Sequence, residues 1–326
     1  MTLPPLAEVL ERLHVVALRL VTRFRGIDAR EVALFEGPEG WTEFSPFLEY
    51  DDRESSAWLA AALEYGWSPS PPTHRERIPV NATVPAVPAA SVADVLARFP
   101  GCRTAKVKVA EPSQRLEDDV ARVAAVREAM GPEGRIRIDA NGAWNLDEAE
   151  HAVRAMEHSD LEYVEQPCAS IDELAELRRR IARLDIPVAA DESVRKAEDP
   201  LAVARAGAAD LLVIKVQPLG GVSRALRIVA EAGLPVVVSS ALDSAIGLSM
   251  GAALAASLPD LPYDCGLGTG ALFTEDVAAY AAHDGSLPVT RPVPDPAVLE
   301  RYAVGAERRE WWVERLARCH ALLAGA

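Results

Sequence analysis

Lysine is scarce in this chain. Of 34 basic residues only four are lysine (Lys106, Lys108, Lys196 and Lys215), and the other 30 are arginine. Cysteine is as rare: Cys102, Cys168, Cys265 and Cys319 stand far apart with no Cys-x-x-Cys pair, so neither a disulfide scaffold nor a zinc ribbon is available. No run of 18 apolar residues occurs, which excludes a helical membrane span. No Lys/Arg run occurs either, and 49 acidic residues give a net charge of −15, a poor match for nucleic acid or an anionic membrane. Glu8, Glu11 and Arg12 interrupt the stretch where a secretory leader needs an unbroken apolar core. No GxGxxG dinucleotide fingerprint stands in the Gly-rich stretch 266–270. These absences predict a cytoplasmic chain with free thiols, a monomer or small homo-oligomer whose partner is a small molecule, not nucleic acid or a membrane. In that setting the sequon Asn81-Ala82-Thr83 carries no glycan.

What is present is a repeating pattern. The 326 residues, 49% apolar, suit one barrel-sized domain plus a smaller partner. Residues 14–22 and 31–47 read as strands, the second broken by a Gly37-Pro38-Glu39-Gly40 turn, and 51–65 reads as a helix with an acidic first turn. The Pro-rich stretch 67–90 reads as a linker or crossover between domains. From about residue 80, β-branched runs at 104–109, 135–140, 162–166, 187–191, 211–216, 235–240 and 265–269 alternate with helical segments at 115–130, 146–158, 171–184, 198–206, 221–232 and 244–258. Strands alternating with helices make right-handed βαβ units, and this many units in so short a span favour a closed parallel barrel over an open sheet. The segment 295–326, with Trp311-Trp312, is expected to pack back on the N-terminal unit.

Arginine stays protonated in proteins, whereas lysine gives up its proton when its surroundings lower its pKa. The few lysines therefore mark where to look. Lys106 and Lys108 share one face of a strand. Asp139 and Asn141 likewise share a face, and Asp139, Glu165 and Asp191 end three consecutive predicted strands at steps of 26 residues. In a barrel these strand ends meet at the C-terminal mouth, where barrel active sites form. Taken singly, each residue has an ordinary structural role, a helix cap or a solvated loop charge. Taken together, three carboxylates in a partly dry site repel one another unless a cation joins them. Oxygen ligands without His or Cys suit Mg²⁺, with Mn²⁺ as a substitute, and not zinc. Lys106 and Lys108 precede the acids and Lys215 follows them, so a substrate carboxylate on the cation would sit between ammonium groups. The adjacent C–H would then be acidic, and Lys108, nearer the mouth than Lys106, is the expected base. Glu192 follows Asp191 and should face away as a supporting group, although the two could exchange as ligand.

These motifs, Lys106-Val-Lys108, Asp139-Ala-Asn141, Glu165-Gln-Pro167, Asp191-Glu-Ser193 and Lys215 before Gly220-Gly221, resemble the enolase superfamily of the muconate-lactonising type. The resemblance implies a modified (β/α)₇β barrel over residues 81–289 and an α+β capping domain formed by residues 1–80 with 290–326 returning to it. It implies Mg²⁺ on Asp139, Glu165 and Asp191, Lys108 and Lys215 as the acid/base pair, and Lys106 and Asn141 in support. Ser239 and Ser240 on the seventh strand, and Gly266, Leu267 and Gly268 on the eighth, are similar to a branch that dehydrates its substrate; the Asp-x-Asp that dipeptide epimerases of the superfamily carry on the eighth strand is absent. The implied reaction is a syn dehydration of 2-succinyl-6-hydroxy-2,4-cyclohexadiene-1-carboxylate through an enediolate, a lyase step of menaquinone biosynthesis. The alternatives are racemisation of N-succinylamino acids, a related enolisation, or a barrel kept as a non-catalytic scaffold. Arg23 and Arg25, beside the Gly26 hinge, are expected either to close on the succinyl carboxylate or to form a solvated hairpin edge.

Overall fold

The computed structural model describes residues 3–195 and 199–325. It opens with α1 (Leu6–Glu11) and an antiparallel sheet of β1 (His14–Phe24), β2 (Ile27–Gly37) and β3 (Gly40–Phe44), followed by α2 (Asp52–Trp67). β2 starts four residues before the expected strand. The turn into it is Arg25-Gly26, both left-handed (φ 51° and 79°), which suits the right-handed twist of a tight hairpin. Asp51 begins α2 by accepting a hydrogen bond from the Glu54 N–H at 2.7 Å.

The second unit runs β4 (Arg77–Pro79), β5 (Ala82–Val84), α3 (Val92–Leu96), β6 (Thr104–Lys108), α4 (Leu116–Met130), β7 (Arg135–Asp139), α5 (Leu146–Met156), β8 (Leu161–Glu165), α6 (Ile171–Arg180), β9 (Val188–Ala190), α7 (Glu192–Arg195), α8 (Ala202–Arg205), β10 (Leu211–Ile214), α9 (Val222–Ala232), β11 (Val236–Val238) and α10 (Ala245–Ser257). β5 to β11 form one parallel sheet in chain order. Its two edges are joined through Cys265 and Gly266: Cys265 bridges to Val80 and Gly266 to Ser239. The backbone N–H of Asn81 donates to Cys265 at 2.9 Å, and that of Gly266 to Val238 at 2.8 Å, so the sheet curls into a barrel.

Three expectations need correction. The eighth stave is no strand over 265–269; it is reduced to bridges at Cys265 and Gly266, after which the chain winds into a 3₁₀ turn, Gly268–Leu272. A Cβ at Gly266 would lie 2.3 Å from Ser239 Oγ, so only glycine allows this approach. The Pro-rich stretch is not a plain linker, because it holds β4 and β5, the first stave; prolines at strand ends leave the short ladder intact. The expected helix 198–206 is the single turn Ala202–Arg205, and its first residue, Glu198, lies outside the described residues, as does Lys196.

After the barrel come β12 (Ser286–Pro288), which pairs with β4, then α11 (Pro296–Arg301) and α12 (Ala306–Ala324). α12 packs on α2. Trp312 is fully buried there, and Arg315 donates to the carbonyls of Phe47 and Tyr50 at 2.9 and 2.6 Å. Every residue of α10 is buried, between the barrel and β3.

Candidate active site

The parallel register delivers the polar side chains to one end of the barrel. Lys108 pairs with Asp139 across β6 and β7, and Asp139 with Glu165 across β7 and β8. Asp191 stands just past the end of β9 and Lys215 just past the end of β10. Alternation along β6 turns both Lys106 and Lys108 inward. Lys106 Nζ lies 3.0 Å from Glu165 Oε1 and 3.4 Å from Asp139 Oδ2, so two carboxylates share its ammonium. Lys108 Nζ donates to Asp139 Oδ2 at 2.5 Å and to Asn141 Oδ1 at 2.7 Å. Lys215 Nζ donates to Asp191 Oδ2 at 2.5 Å. Numbering staves from β5, Lys108 and Lys215 belong to the second and sixth of eight, so they approach from opposite sides.

Burial and neighbours set the charge states. Burial works against the Lys106 ammonium, but Glu165 and Asp139 outweigh it and hold the proton on more tightly than usual. Lys108 goes the other way: burial, then Lys106 and Arg25, lower its pKa despite Asp139. Burial opposes the Asp139 charge too, yet Lys108 and Lys106 keep its carboxyl well below the usual range. Asp191 is likewise held low by Lys215 and Arg195 against burial. Glu165 is pushed up to about 7 by burial and by Asp139 beside it.

A second layer orients these groups. Arg195 Nε donates to Asp191 Oδ1 at 3.1 Å, its Nη2 to Glu192 Oε1 at 2.7 Å, and its Nη1 to the Tyr50 hydroxyl at 3.1 Å. Glu192 thus faces Arg195 and Asn141, whose Nδ2 donates to it at 3.2 Å. Gln166 Oε1 accepts from the backbone N–H groups of Asp191 and Ser193 at 2.9 and 3.1 Å.

The donor set suits a hard divalent cation: three buried oxygen acids at adjacent stave ends, with no imidazole or thiol among them. The raised Glu165 marks the like-charge conflict that such an ion relieves. Among the described residues no three ligating groups converge on one point; the three ammonium groups stand against the acids instead.

A small inner cavity of about 20 Å³ is lined by Lys106, Lys108, Lys215, Asn141, Ser239, Ser240 and Gly266, and is roofed by Phe24 and Arg25. An outer one of about 450 Å³ adjoins it, lined by Arg23, Arg25, Lys108 and Gln114. Leu267 and Gly268 line neither: Leu267 packs on Gly251, and Gly268 lies against Asn81 and Phe99. Sequence reasoning missed Thr83, on β5, whose buried hydroxyl lines the inner cavity without a partner among the described residues. The Asn81-Ala82-Thr83 run was read only as an idle sequon, and nothing in it marks a strand. Thr269, bonded to Ser240 Oγ at 2.8 Å, and Tyr50 and Arg195 behind the site were missed as well.

Residues 15–66 match the family described as enolase N-terminal domain-like, and residues 89–292 match enolase C-terminal domain-like. The chain is 58% identical over 323 residues to an o-succinylbenzoate synthase of Mycobacterium tuberculosis, covering 98% of this chain and 97% of that one. It is 57% identical over 322 residues to the o-succinylbenzoate synthase of Mycolicibacterium smegmatis, covering 98% of each. Among solved structures, the muconate lactonizing enzyme of Pseudomonas fluorescens shares the fold with a TM-score of 0.77 at 20% identity, over 90% of this chain and 98% of that one. The N-succinyl Arg/Lys racemase of Bacillus cereus shares it with a TM-score of 0.74 at 20% identity, over 90% of this chain and 97% of that one. The chain belongs to the enolase superfamily and, within it, to the family of the o-succinylbenzoate synthases.

Proposed function

We propose that the chain is an Mg²⁺-dependent lyase that dehydrates 2-succinyl-6-hydroxy-2,4-cyclohexadiene-1-carboxylate to 2-succinylbenzoate, a cytoplasmic step of menaquinone biosynthesis. The observation that carries the reading is the single cavity that Lys108 and Lys215 enter from opposed staves. The near full-length likeness to o-succinylbenzoate synthases selects this substrate from those such a cavity could enolise. Asp139, Glu165 and Asp191 would hold Mg²⁺, which supplies the positive charge that makes the C–H beside the substrate carboxylate acidic.

The chain's own residues do the rest. Lys108, the lysine with the lowered pKa, takes that proton on Nζ as the C–H bond breaks. Its ammonium then gives the proton to the hydroxyl on the neighbouring ring carbon, on the same face. The C–O bond breaks, water leaves and the ring becomes aromatic. Lys215, as an ammonium on the far side, steadies the negative charge on the carboxylate. Lys106 stays charged between Asp139 and Glu165 and offsets part of their negative charge. Thr83, Ser239 and Ser240 offer hydroxyls to the ring substituents. The inner cavity holds about one water, so the hairpin tip Thr22–Gly26 with Phe24 must lift to admit the substrate. Arg25 and Arg23 then meet the succinyl carboxylate in the outer cavity. The division of labour we infer puts residues 81–289 to the chemistry and residues 1–80 with 290–326 to the cap.

The opposed lysines also favour a second reading, racemisation of N-succinylamino acids, which needs a base on each face. Loss of the cyclohexadiene ultraviolet band on mixing enzyme, Mg²⁺ and substrate tests the first reading. A purified, folded protein that leaves the band unchanged with Mg²⁺ present overturns it.

A further inference from the structure

A base works only if its nitrogen is aimed at the proton, and the backbone that aims Lys108 is gripped from outside the barrel. On α4, Arg122 and Asp119 form a buried ion pair, Nη1 to Oδ1 at 2.7 Å. Their helix otherwise turns apolar side chains inward, Val123 and Val126 among them. The pair is bound to the chain at Lys108 and just after it, and to the segment beyond β5. Arg122 Nη1 donates to the Lys108 carbonyl at 2.8 Å, and its Nε donates to the Val87 carbonyl, beyond β5, at 2.6 Å. Asp119 Oδ2 accepts from the Ala110 N–H at 2.9 Å. Ala110 is left-handed, with φ 62°, a conformation alanine seldom adopts unless its surroundings impose it. The remaining Arg122 nitrogen reaches the Gln114 side chain, which lines the outer cavity beside Lys108.

We propose that Arg122 and Asp119 are positioning residues that set the direction of Lys108 Nζ by clamping the backbone at residues 108–110. The proposal rests on Lys108 being the base. A residue that merely braces α4 would affect stability, whereas a clamp on the base would affect the proton-transfer step.

The test compares the parent, Lys108→Ala, Arg122→Lys and Asp119→Asn, each loaded with Mg²⁺. The substrate carries hydrogen or deuterium on the carbon next to its carboxylate. Lysine keeps the charge of Arg122 but cannot reach all of its acceptors. Asparagine keeps the shape of Asp119 but has one acceptor oxygen for two bonds. We expect both clamp variants to keep the parent circular dichroism spectrum and KM, to lose about tenfold to a hundredfold in kcat, and to show a larger deuterium isotope effect. If Arg122→Lys does not fold, Asp119→Asn decides. A Lys108→Ala slowed a hundredfold or more, beside folded clamp variants with parent kcat and isotope effect, overturns the clamp alone. A Lys108→Ala kcat within about tenfold of the parent overturns the base assignment and the clamp with it.

Discussion

Lys106 and Lys108 stand two residues apart on one strand, yet their surroundings push them in opposite directions. Lys106 is sandwiched by Glu165 and Asp139 and is held charged; Lys108 loses more to burial than Asp139 returns, and Lys106 and Arg25 add repulsion. The one is suited to steady carboxylates, the other to take a proton. Replacing Lys108 by alanine should lower kcat by about 10²–10⁴-fold while leaving the fold intact, read from loss of the cyclohexadiene band. Lys215→Arg should keep part of the dehydration, because charge at that position suffices, and should abolish any racemisation of N-succinylamino acids. Racemisation surviving in that variant would contradict the one-base account. Thr83 could be found only in the folded chain: nothing in an Asn-Ala-Thr run says that it forms the first stave. The three acids were legible because each ends a run of strand-forming residues at a step of 26 residues, so that topology alone brings them together.

At the scale of elements, α10 shows how the cap is fastened to the barrel. It is apolar on every side, the mark of a helix with no solvent face. Its N-terminus is met by Glu43 of β3, whose Oε2 accepts from the backbone N–H groups of Ser244 and Gly247 at 3.2 and 3.0 Å. Glu43 Oε1 also accepts from Ser45 Oγ at 2.5 Å and from Gln217 Nε2 at 3.3 Å. Glu43→Ala leaves these buried donors unpaired and should cost about 3 kcal/mol or more, measured by denaturant unfolding; a change under about 1 kcal/mol would contradict this role. Asp276 tests the same region by pH. Burial raises its carboxyl from 3.8 to about 7, while its Oδ1 accepts from the N–H groups of Ala245 and Val277. A folded-state pKa above the unfolded one adds stability that is complete below the unfolded value and disappears as pH rises through the folded one. The melting temperature should therefore fall between about pH 4 and 7, with Asp243, also raised to about 7, adding to the slope. Asp276→Asn, which keeps the accepting oxygen, should flatten that fall; an unchanged slope would refute the assignment. The longer barrel helices α4, α5, α6, α9 and α10, with α2, were legible in the sequence, unlike the single turn α8; β5 and the eighth stave were not legible. Each is two or three residues long and flanked by Pro or Gly, and is held as strand by its neighbours more than by propensity.

At the scale of the molecule, the two ends of the chain meet. Trp312 of α12 is buried against Phe44, with ring centroids 5.9 Å apart, so the last helix completes the core that the first sheet begins. Trp312→Ala should cost about 3–5 kcal/mol in denaturant unfolding; a loss below about 1 kcal/mol would show that the return helix is dispensable. Stripping divalent ions with a chelator should abolish turnover, and Mg²⁺ should restore it; turnover that persists in chelator would refute the metal assignment. Among the described residues no helix is long and apolar enough to cross a membrane, in keeping with the absence of any long apolar run in the sequence.

Composition and spacing were enough to determine the barrel and to predict that three carboxylates and three lysines gather at one end of it. All of these follow from periodicity along the chain and from the chemistry each residue type can perform. Only the folded molecule decided how those groups are charged, which hydroxyls reach the cavity, and which distant residues hold Lys108 and α10 in place. Those outcomes depend on burial and on contacts between segments far apart in the chain, such as Glu43 with Gly247 and Arg122 with Val87, and no local pattern records which segments become neighbours.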